Sequence, residues 1–221
     1  MTYRFDKNSR GTILLAWLAG AVVLVPLWIW VDIPWLNISL SVILGIFMCF
    51  VTWFFRVPVR PAPEGRNLVT SVCDGKVVIV EKAFEKEFLK KECWQVSAYM
   101  DFFDVHCNFW PVEGTVEYYK YHPGKYMLAF LPKSSDLNEH ASSCIRTSGG
   151  HSVFFKQIAG TFARRIVCYS RPGLEVTRGE QCGVIKFGSR IDLFLPLEAD
   201  IRVKIGDHIR AIETVVAVLP E

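Results

Sequence analysis

The sequence predicts a mainly β protein: a compact sandwich or barrel-like domain carried behind an N-terminal two-helix transmembrane hairpin. Three observations predict it. Two uncharged apolar runs, Thr12 to Val31 and Leu36 to Phe55, stand near the N-terminus. A series of short runs rich in β-branched and aromatic residues follows. Glycine-containing turn pairs separate those short runs.

Each apolar run is about 20 residues long, what a helix rising about 1.5 Å per residue needs to cross a hydrocarbon core of ~30 Å. Pro26 and Gly20 weaken a soluble helix but are tolerated in a membrane one. A cleavable leader fits poorly, because Trp28-Ile29-Trp30 stands where a small-residue cleavage site belongs. Only Asp32-Ile33-Pro34-Trp35 separates the runs, so the turn is tight. Arg4, Lys7 and Arg10 precede the first helix, and Arg56 and Arg60 follow the second. Basic outer flanks place both termini and the globular domain on the cytoplasmic side of the cell (inner) membrane. Trp28, Trp30 and Trp35 mark one interface; Trp53, Phe54 and Phe55 mark the other. The expected division is a hairpin over 1–56 with helices at about 12–31 and 36–55, a proline-rich link over 57–66, and a globular domain over 67–221.

Val57-Pro58-Val59-Arg60-Pro61-Ala62-Pro63 holds an extended backbone through the fixed proline dihedrals. Strands are then expected at Lys76–Glu81, Gln95–Met100, Thr115–Tyr119, Tyr126–Leu131, Val153–Ile158, Arg164–Tyr169, Ile191–Leu195 and Thr214–Leu219. Asp74-Gly75, Glu113-Gly114, Pro123-Gly124, Gly149-Gly150, Pro172-Gly173 and Gly206-Asp207 supply the turns between them. Ala83 to Cys93 carries mixed signals and suits either a short helix or a charged hairpin.

Composition excludes several functions. With the four basic and two acidic residues of 1–56 set aside, 21 basic and 20 acidic residues remain, so the domain is near neutral. Its densest lysines, Lys82, Lys86, Lys90 and Lys91, alternate with glutamates, which argues against nucleic-acid binding. The seven cysteines form no C-x-x-C pair and their number is odd, as expected of reduced thiols. The five histidines show no metal-ligand spacing, and no metal site is assigned.

The chemistry concentrates near the C-terminus. A Gly-Ser bond joins an apolar lead-in (Val184, Ile185, Phe187) to the Ile191/Leu193/Leu195 alternation. Most Gly-Ser pairs are tight turns before strands. Such a bond is also a place where a chain can attack itself, because Gly188 leaves the carbonyl uncovered and the Ser189 hydroxyl lies one five-membered ring away. That attack needs a base. His106 is the best candidate by chemistry, and in an extended Asp104-Val105-His106 run it shares a face with Asp104. The bland alternative is a core histidine beside Phe109 and Trp110. Asp74 opens a strand at an Asp-Gly pair, where most aspartates only shape the turn.

Gly183-Val184-Ile185-Lys186-Phe187-Gly188-Ser189-Arg190-Ile191-Asp192-Leu193-Phe194-Leu195-Pro196 resembles the processing site of phosphatidylserine decarboxylases, closest to their short archaeal-type branch. Cys73-Asp74-Gly75-Lys76-Val77 and Asp104-Val105-His106-Cys107-Asn108-Phe109-Trp110-Pro111-Val112-Glu113-Gly114 resemble two further motifs of that family, in its order. The resemblance runs from about Pro58 to the C-terminus. It implies self-cleavage between Gly188 and Ser189, giving a β chain (1–188) and an α chain (189–221). Ser189 becomes a covalent pyruvoyl group, the cofactor, which takes the substrate amine as a Schiff base and accepts the electrons left by carbon dioxide. Phosphatidylserine in the bilayer is then the substrate and phosphatidylethanolamine the product. Ser189, His106 and Asp74 are the implied catalytic residues, with Asp74 orienting the histidine as in other Asp-His-Ser arrangements. The sequence departs from the long-form pattern in one place: Phe109 stands where that pattern carries a second histidine. His106 then matches the histidine tied to decarboxylation more than to cleavage.

Arg190 suits either a substrate anion or an ion pair with Asp192, which shares its face. Leu137-Asn138-Glu139-His140 also resembles a family element, with His140 in place of an arginine, and receives no catalytic role. Two other readings keep part of this picture: a membrane-anchored β-domain that binds lipid or a partner without catalysis, and a decarboxylase of another serine-headgroup lipid. A homo-oligomer is compatible with the sequence.

Overall fold

A computed structural model describes residues 2–127, 137–160, 166–185 and 189–221. It divides into two units, Met1–Val59 and Arg60–Glu221.

The first unit contains β1 (Tyr3–Phe5), α1 (Lys7–Trp30), α2 (Pro34–Phe54) and β2 (Arg56–Pro58), with β2 pairing antiparallel to β1. Helix α1 starts upstream of the uncharged run because Asp6 caps it, its side chain accepting from the Asn8 N–H at 2.8 Å. Pro34 opens α2, where a missing N–H does no harm. The Trp17 indole donates to Thr52 Oγ at 3.0 Å and the Trp28 indole to Ser41 Oγ at 3.0 Å. Met48 packs against Gly20, where a Cβ would collide with its sulfur. Both helices are long and apolar enough to cross a membrane. Leu15, Ile29, Ile43 and Ile46 are exposed along them, as lipid-facing residues are and core residues are not.

The regular structure of the second unit is almost wholly β among the described residues. Its strands are β3 (Leu68–Thr70), β4 (Gly75–Glu85), β5 (Lys91–Met100), β6 (Cys107–Phe109), β7 (Gly114–His122), β8 (His140–Arg146) and β9 (Ser152–Ala159). They continue as β10 (Ile166–Cys168), β11 (Glu175–Val176), β12 (Gln181–Ile185), β13 (Ser189–Leu195), β14 (Asp200–Ile201), β15 (His208–Ile209) and β16 (Val215–Val218). Eight form one antiparallel sheet in the order β11-β7-β8-β9-β13-β5-β4-β15. Two three-stranded sheets, β10-β12-β6 and β14-β16-β3, pack on one face of it. The core between them draws Val96, Ala98, Phe155, Ile191, Leu193 and Leu195 from the large sheet, and Val69, Cys182, Ile185 and Val216 from the small ones. The expected mainly β sandwich-like domain is thus borne out.

Alternation places β13 within this frame. Ile191, Leu193 and Leu195 point into the core, while Arg190, Asp192 and Phe194 face the other side of the sheet. Every residue of β13 is buried. The strands expected around Lys76–Glu81, Gln95–Met100, Thr115–Tyr119, Val153–Ile158, Ile191–Leu195 and Thr214–Leu219 coincide with β4, β5, β7, β9, β13 and β16. Tyr126–Leu131 and the start of Arg164–Tyr169 fall largely outside the described residues.

Ala83 to Cys93 is a hairpin, not a helix. The Glu85 carboxylate accepts from the N–H groups of Glu87, Phe88 and Leu89 at 2.7–2.8 Å, and Lys90 takes a φ of 50°. Those bonds satisfy the donors that a helix would turn to its own carbonyls.

Candidate active site

Ser189 begins β13 and is fully buried, paired with Met100 of β5 on one side and Ala159 of β9 on the other. Its hydroxyl donates to Met100 Sδ at 3.7 Å. A file of buried polar groups continues from that sulfur. Asn108 Nδ2 donates to Met100 Sδ at 3.8 Å, and Gln157 Nε2 donates to Asn108 Oδ1 at 2.8 Å. Asn108 and Gln157 are both wholly buried. Gln157 had a legible signal, being the polar residue on the inward Val153/Phe155/Gln157 face of an alternating strand. Met100 carried none, because a core methionine at a strand end looks like any other.

Gly188, the other half of the expected cleavage site, lies outside the described residues. The chain on its N-terminal side is fixed through Ile185, whose N–H donates to the His106 carbonyl at 3.0 Å. The β6–β12 pairing, with Val184 opposite Cys107, therefore lays the His106 segment alongside the approach to the Gly-Ser bond.

His106 is 1% exposed. It precedes β6 instead of lying in a strand, because Asp101 folds residues 101–104 into a turn. Its Nδ1 lies 3.0 Å from the Asp104 carbonyl oxygen. A carbonyl only accepts, so Nδ1 carries the proton and Nε2 is the basic nitrogen.

Asp74 is held from outside the motifs. Arg60 grips its carboxylate with both terminal nitrogens, at 2.5 and 2.8 Å, and the Ala211 N–H donates to Oδ1 at 2.8 Å. Arg60 was read as a membrane-flanking charge; its side chain is 5% exposed and serves this pair. The Asp74 charge reaches the site loop: burial first, then the charges of Asp101 and Asp74, push the Asp104 carboxyl up. Burial, with the Asp74 and Asp104 charges behind it, pushes the Cys73 thiol well above its ordinary value. That thiol is therefore no rival nucleophile.

Arg190 turns to Asp192, its Nε donating to Oδ1 at 2.6 Å with both side chains buried, and its terminal nitrogen reaches Ser97 Oγ at 3.1 Å. Of the two roles considered for Arg190, the ion pair is the one present. Asn138 donates to the carbonyl of Ala159, the residue opposite Ser189, at 2.7 Å. It buttresses the ladder.

The fold also gathers Glu87, His122 and His140, whose donor atoms lie within 4.8 Å of one another. The imidazoles are stacked at 4.3 Å with planes 14° apart. A metal lies in the plane of each ring it binds, and near-parallel stacked rings share no such point. Glu87 is instead satisfied by His122 at 2.6 Å, Ser142 at 2.8 Å, Lys156 at 3.2 Å and Tyr118 at 3.2 Å.

Comparison with known proteins bears on the whole domain. The family model described as phosphatidylserine decarboxylase matches residues 47–217. A protein of Amoebophilus asiaticus is 45% identical over 177 residues, covering 80% of this chain and 77% of that protein. One of Parabacteroides distasonis is 37% identical over 215 residues, covering 97% of this chain and 98% of its own. One of Syntrophus aciditrophicus is 44% identical over 165 residues, covering 75% and 78%. Each of the three is named a phosphatidylserine decarboxylase proenzyme.

Proposed function

The chain belongs to the phosphatidylserine decarboxylase family and is an enzyme that decarboxylates phosphatidylserine. From that premise we propose that it matures by cutting itself between Gly188 and Ser189, and that the new terminus at 189 carries a pyruvoyl group. The relatives' proenzyme names support maturation by cleavage. The observation that carries the assignment is the place of Ser189 in the fold. It is the first residue of a central strand, so a cut on its N-terminal side leaves the ladders from Ser189 onward intact on both edges. A carbonyl generated at that position is held by β5 and β9 in a fully buried setting, which fits the group.

The Ser189 hydroxyl oxygen attacks the Gly188 carbonyl carbon and displaces the amide nitrogen. Loss of the residue 189 Cα proton then expels that oxygen with the Gly188 carboxylate and leaves dehydroalanine, whose imine form takes up water and releases ammonia to give the carbonyl terminus. When present, the pyruvoyl group supplies an electron sink for the pair left behind by carbon dioxide. His106 serves as the acid: with Nδ1 tied to the Asp104 carbonyl, Nε2 holds the proton that returns to the substrate carbon. Asp74, fixed by Arg60, sets a negative field beside the loop that carries His106. The burial around Ser189, Met100 and Asn108 keeps bulk water from the reacting carbon.

The α chain (189–221) contributes β13, β15 and β16, which pair with β5 and β9, β4, and β3 of the β chain. The two fragments therefore stay together after cleavage. Both termini are assigned to the cytoplasm from the basic residues Arg4, Lys7, Arg10 and Arg56.

Intact mass and denaturing electrophoresis test the reading. The wild type should give two fragments that co-elute under native conditions, the smaller beginning at position 189 and resisting N-terminal sequencing. Ser189→Ala should remain full length and inactive. Decarboxylation of phosphatidylserine by that variant would sink the mechanism.

A further inference from the structure

We propose that the Phe102-Phe103 loop is a docking wedge that seats the active site on a phospholipid bilayer. This rests on the decarboxylase reading, because a bilayer substrate is what gives the wedge its purpose. The loop joins two site residues directly: it leaves β5 at Met100, whose sulfur meets the Ser189 hydroxyl, and arrives at His106. Phe102 is 40% exposed and Phe103 67% exposed, with ring centroids 6.3 Å apart edge to face.

The loop's backbone donors are met within the turn itself. Asp101 Oδ1 accepts from the Phe103 N–H at 2.7 Å and the Asp104 N–H at 3.2 Å, while Asp104 Oδ2 accepts from the Asp101 N–H at 2.9 Å. Donors satisfied inside a turn are what a segment needs before it passes below the headgroups, where water becomes scarce. Aromatic rings are the side chains that favour that layer. Both flanking carboxylates accept bonds within the turn, and Asp101 stays exposed beside the two rings, as a charge left at the headgroup level while the rings go deeper.

The occupant is a lipid surface because the substrate's acyl chains cannot leave the bilayer cheaply. A membrane hairpin raises the domain's local concentration at the bilayer, and the end of the sheet that meets the lipid must be the one that holds the site. A wedge between Met100 and His106 selects that end, where Ser189 lies. The opposite end of the sheet carries the β8–β9 turn, whose exposed residue Ser148 offers a control.

The experiment uses the full-length protein reconstituted in vesicles of phosphatidylserine and phosphatidylglycerol. A benzophenone amino acid at position 103 should form lipid adducts at several times the yield of the same group at position 148. Equal yields, or adducts to a second protein copy in place of lipid, overturn the proposal. In parallel, the double variant Phe102→Ser/Phe103→Ser should cleave normally and lose about tenfold or more of its activity on vesicles. Its activity on monomeric dihexanoyl-phosphatidylserine should stay within about twofold of wild type, since that lipid comes to the site unaided. An equal loss on both substrates would mean the rings support the site itself and would overturn the docking role. Phe102→Leu/Phe103→Leu should recover most vesicle activity, which a folding defect cured only by aromatic packing would not show. If wild type forms the adduct yet decarboxylates neither lipid, the enzymatic reading fails while the membrane contact stands.

Discussion

His106 has two jobs open to it and one basic nitrogen to perform them. Its Nδ1 is occupied by the Asp104 carbonyl, so on the proposed mechanism Nε2 is the nitrogen that would serve cleavage, decarboxylation or both. Phe109, at the position where the long-form pattern leads one to expect a second histidine, is buried, and its ring cannot carry a proton. His106→Ala should therefore still cleave, though slowly, yet lose roughly 10²–10⁴-fold in decarboxylation, the usual worth of a positioned acid or base. Single-turnover carbon dioxide release from cleaved protein checks this. Full activity would remove His106 from the site, and an uncleaved product would move its role to maturation. Asp74 is harder to read by substitution, because losing its carboxylate also strands the Arg60 guanidinium.

The β4–β5 hairpin shows how an element is held down. Glu87 at its tip reaches His122 of β7, Ser142 of β8 and Lys156 of β9, tying the hairpin down across three strands of the sheet. Burial works to raise the Glu87 carboxyl, but bonds from His122 and Ser142 and the Lys156 charge outweigh it and hold it below its ordinary 4.5. Burial, together with the His122 and Lys156 charges, lowers His140 from its ordinary 6.5 against the pull of Asn138 and Glu87. The sign is the same for both. A group whose pKa is depressed in the folded state adds stability above its unfolded pKa and loses it as pH falls through the folded one. The melting temperature should accordingly begin to drop below about pH 6.5, with Glu87 adding to the loss at more acid pH. His140→Asn should flatten the first part of that slope. Thermal melts across the range, with both proteins in the same detergent, decide it, and an unchanged slope in the variant would absolve His140.

At the scale of the whole molecule the prediction concerns topology. Arg4, Lys7, Arg10 and Arg56 lie at or just beyond the outer ends of the two helices, while the connecting turn carries only Asp32. Reporters fused to either terminus should read cytoplasmic, and an external reading at the C-terminus would reverse the assignment. Arg60, counted with those flanks from sequence, belongs instead to the Asp74 pair, so the second flank rests on Arg56. Arg56 lies over the Trp53 ring at 3.6 Å and donates to the Trp53 carbonyl, which suits a residue at a membrane interface.

Much of this protein was legible in one dimension. Hairpin helices, alternating strands and glycine turns are local properties, set by side-chain periodicity and backbone freedom over a few residues. The sequence by itself determined the two apolar helices, the β character of the domain, and the Gly188-Ser189 bond with His106 and Asp74 as its candidate companions. It could not announce β8, whose Ala141, Ser142, Ser143 and Cys144 show no alternation because both of its faces are covered. Nor could it assign Arg60 to Asp74, or bring Met100, Asn108 and Gln157 beside Ser189, since these contacts join strands far apart in the chain. Only the tertiary structure decided that Arg190 turns its charge to Asp192, that Glu85 bends a mixed segment into a hairpin, and that Phe102 and Phe103 are exposed at the end of the sheet that holds Ser189. Local pattern governs which elements form. Which side chains meet is settled by register across the sheet, where a shift of one residue exchanges the two faces.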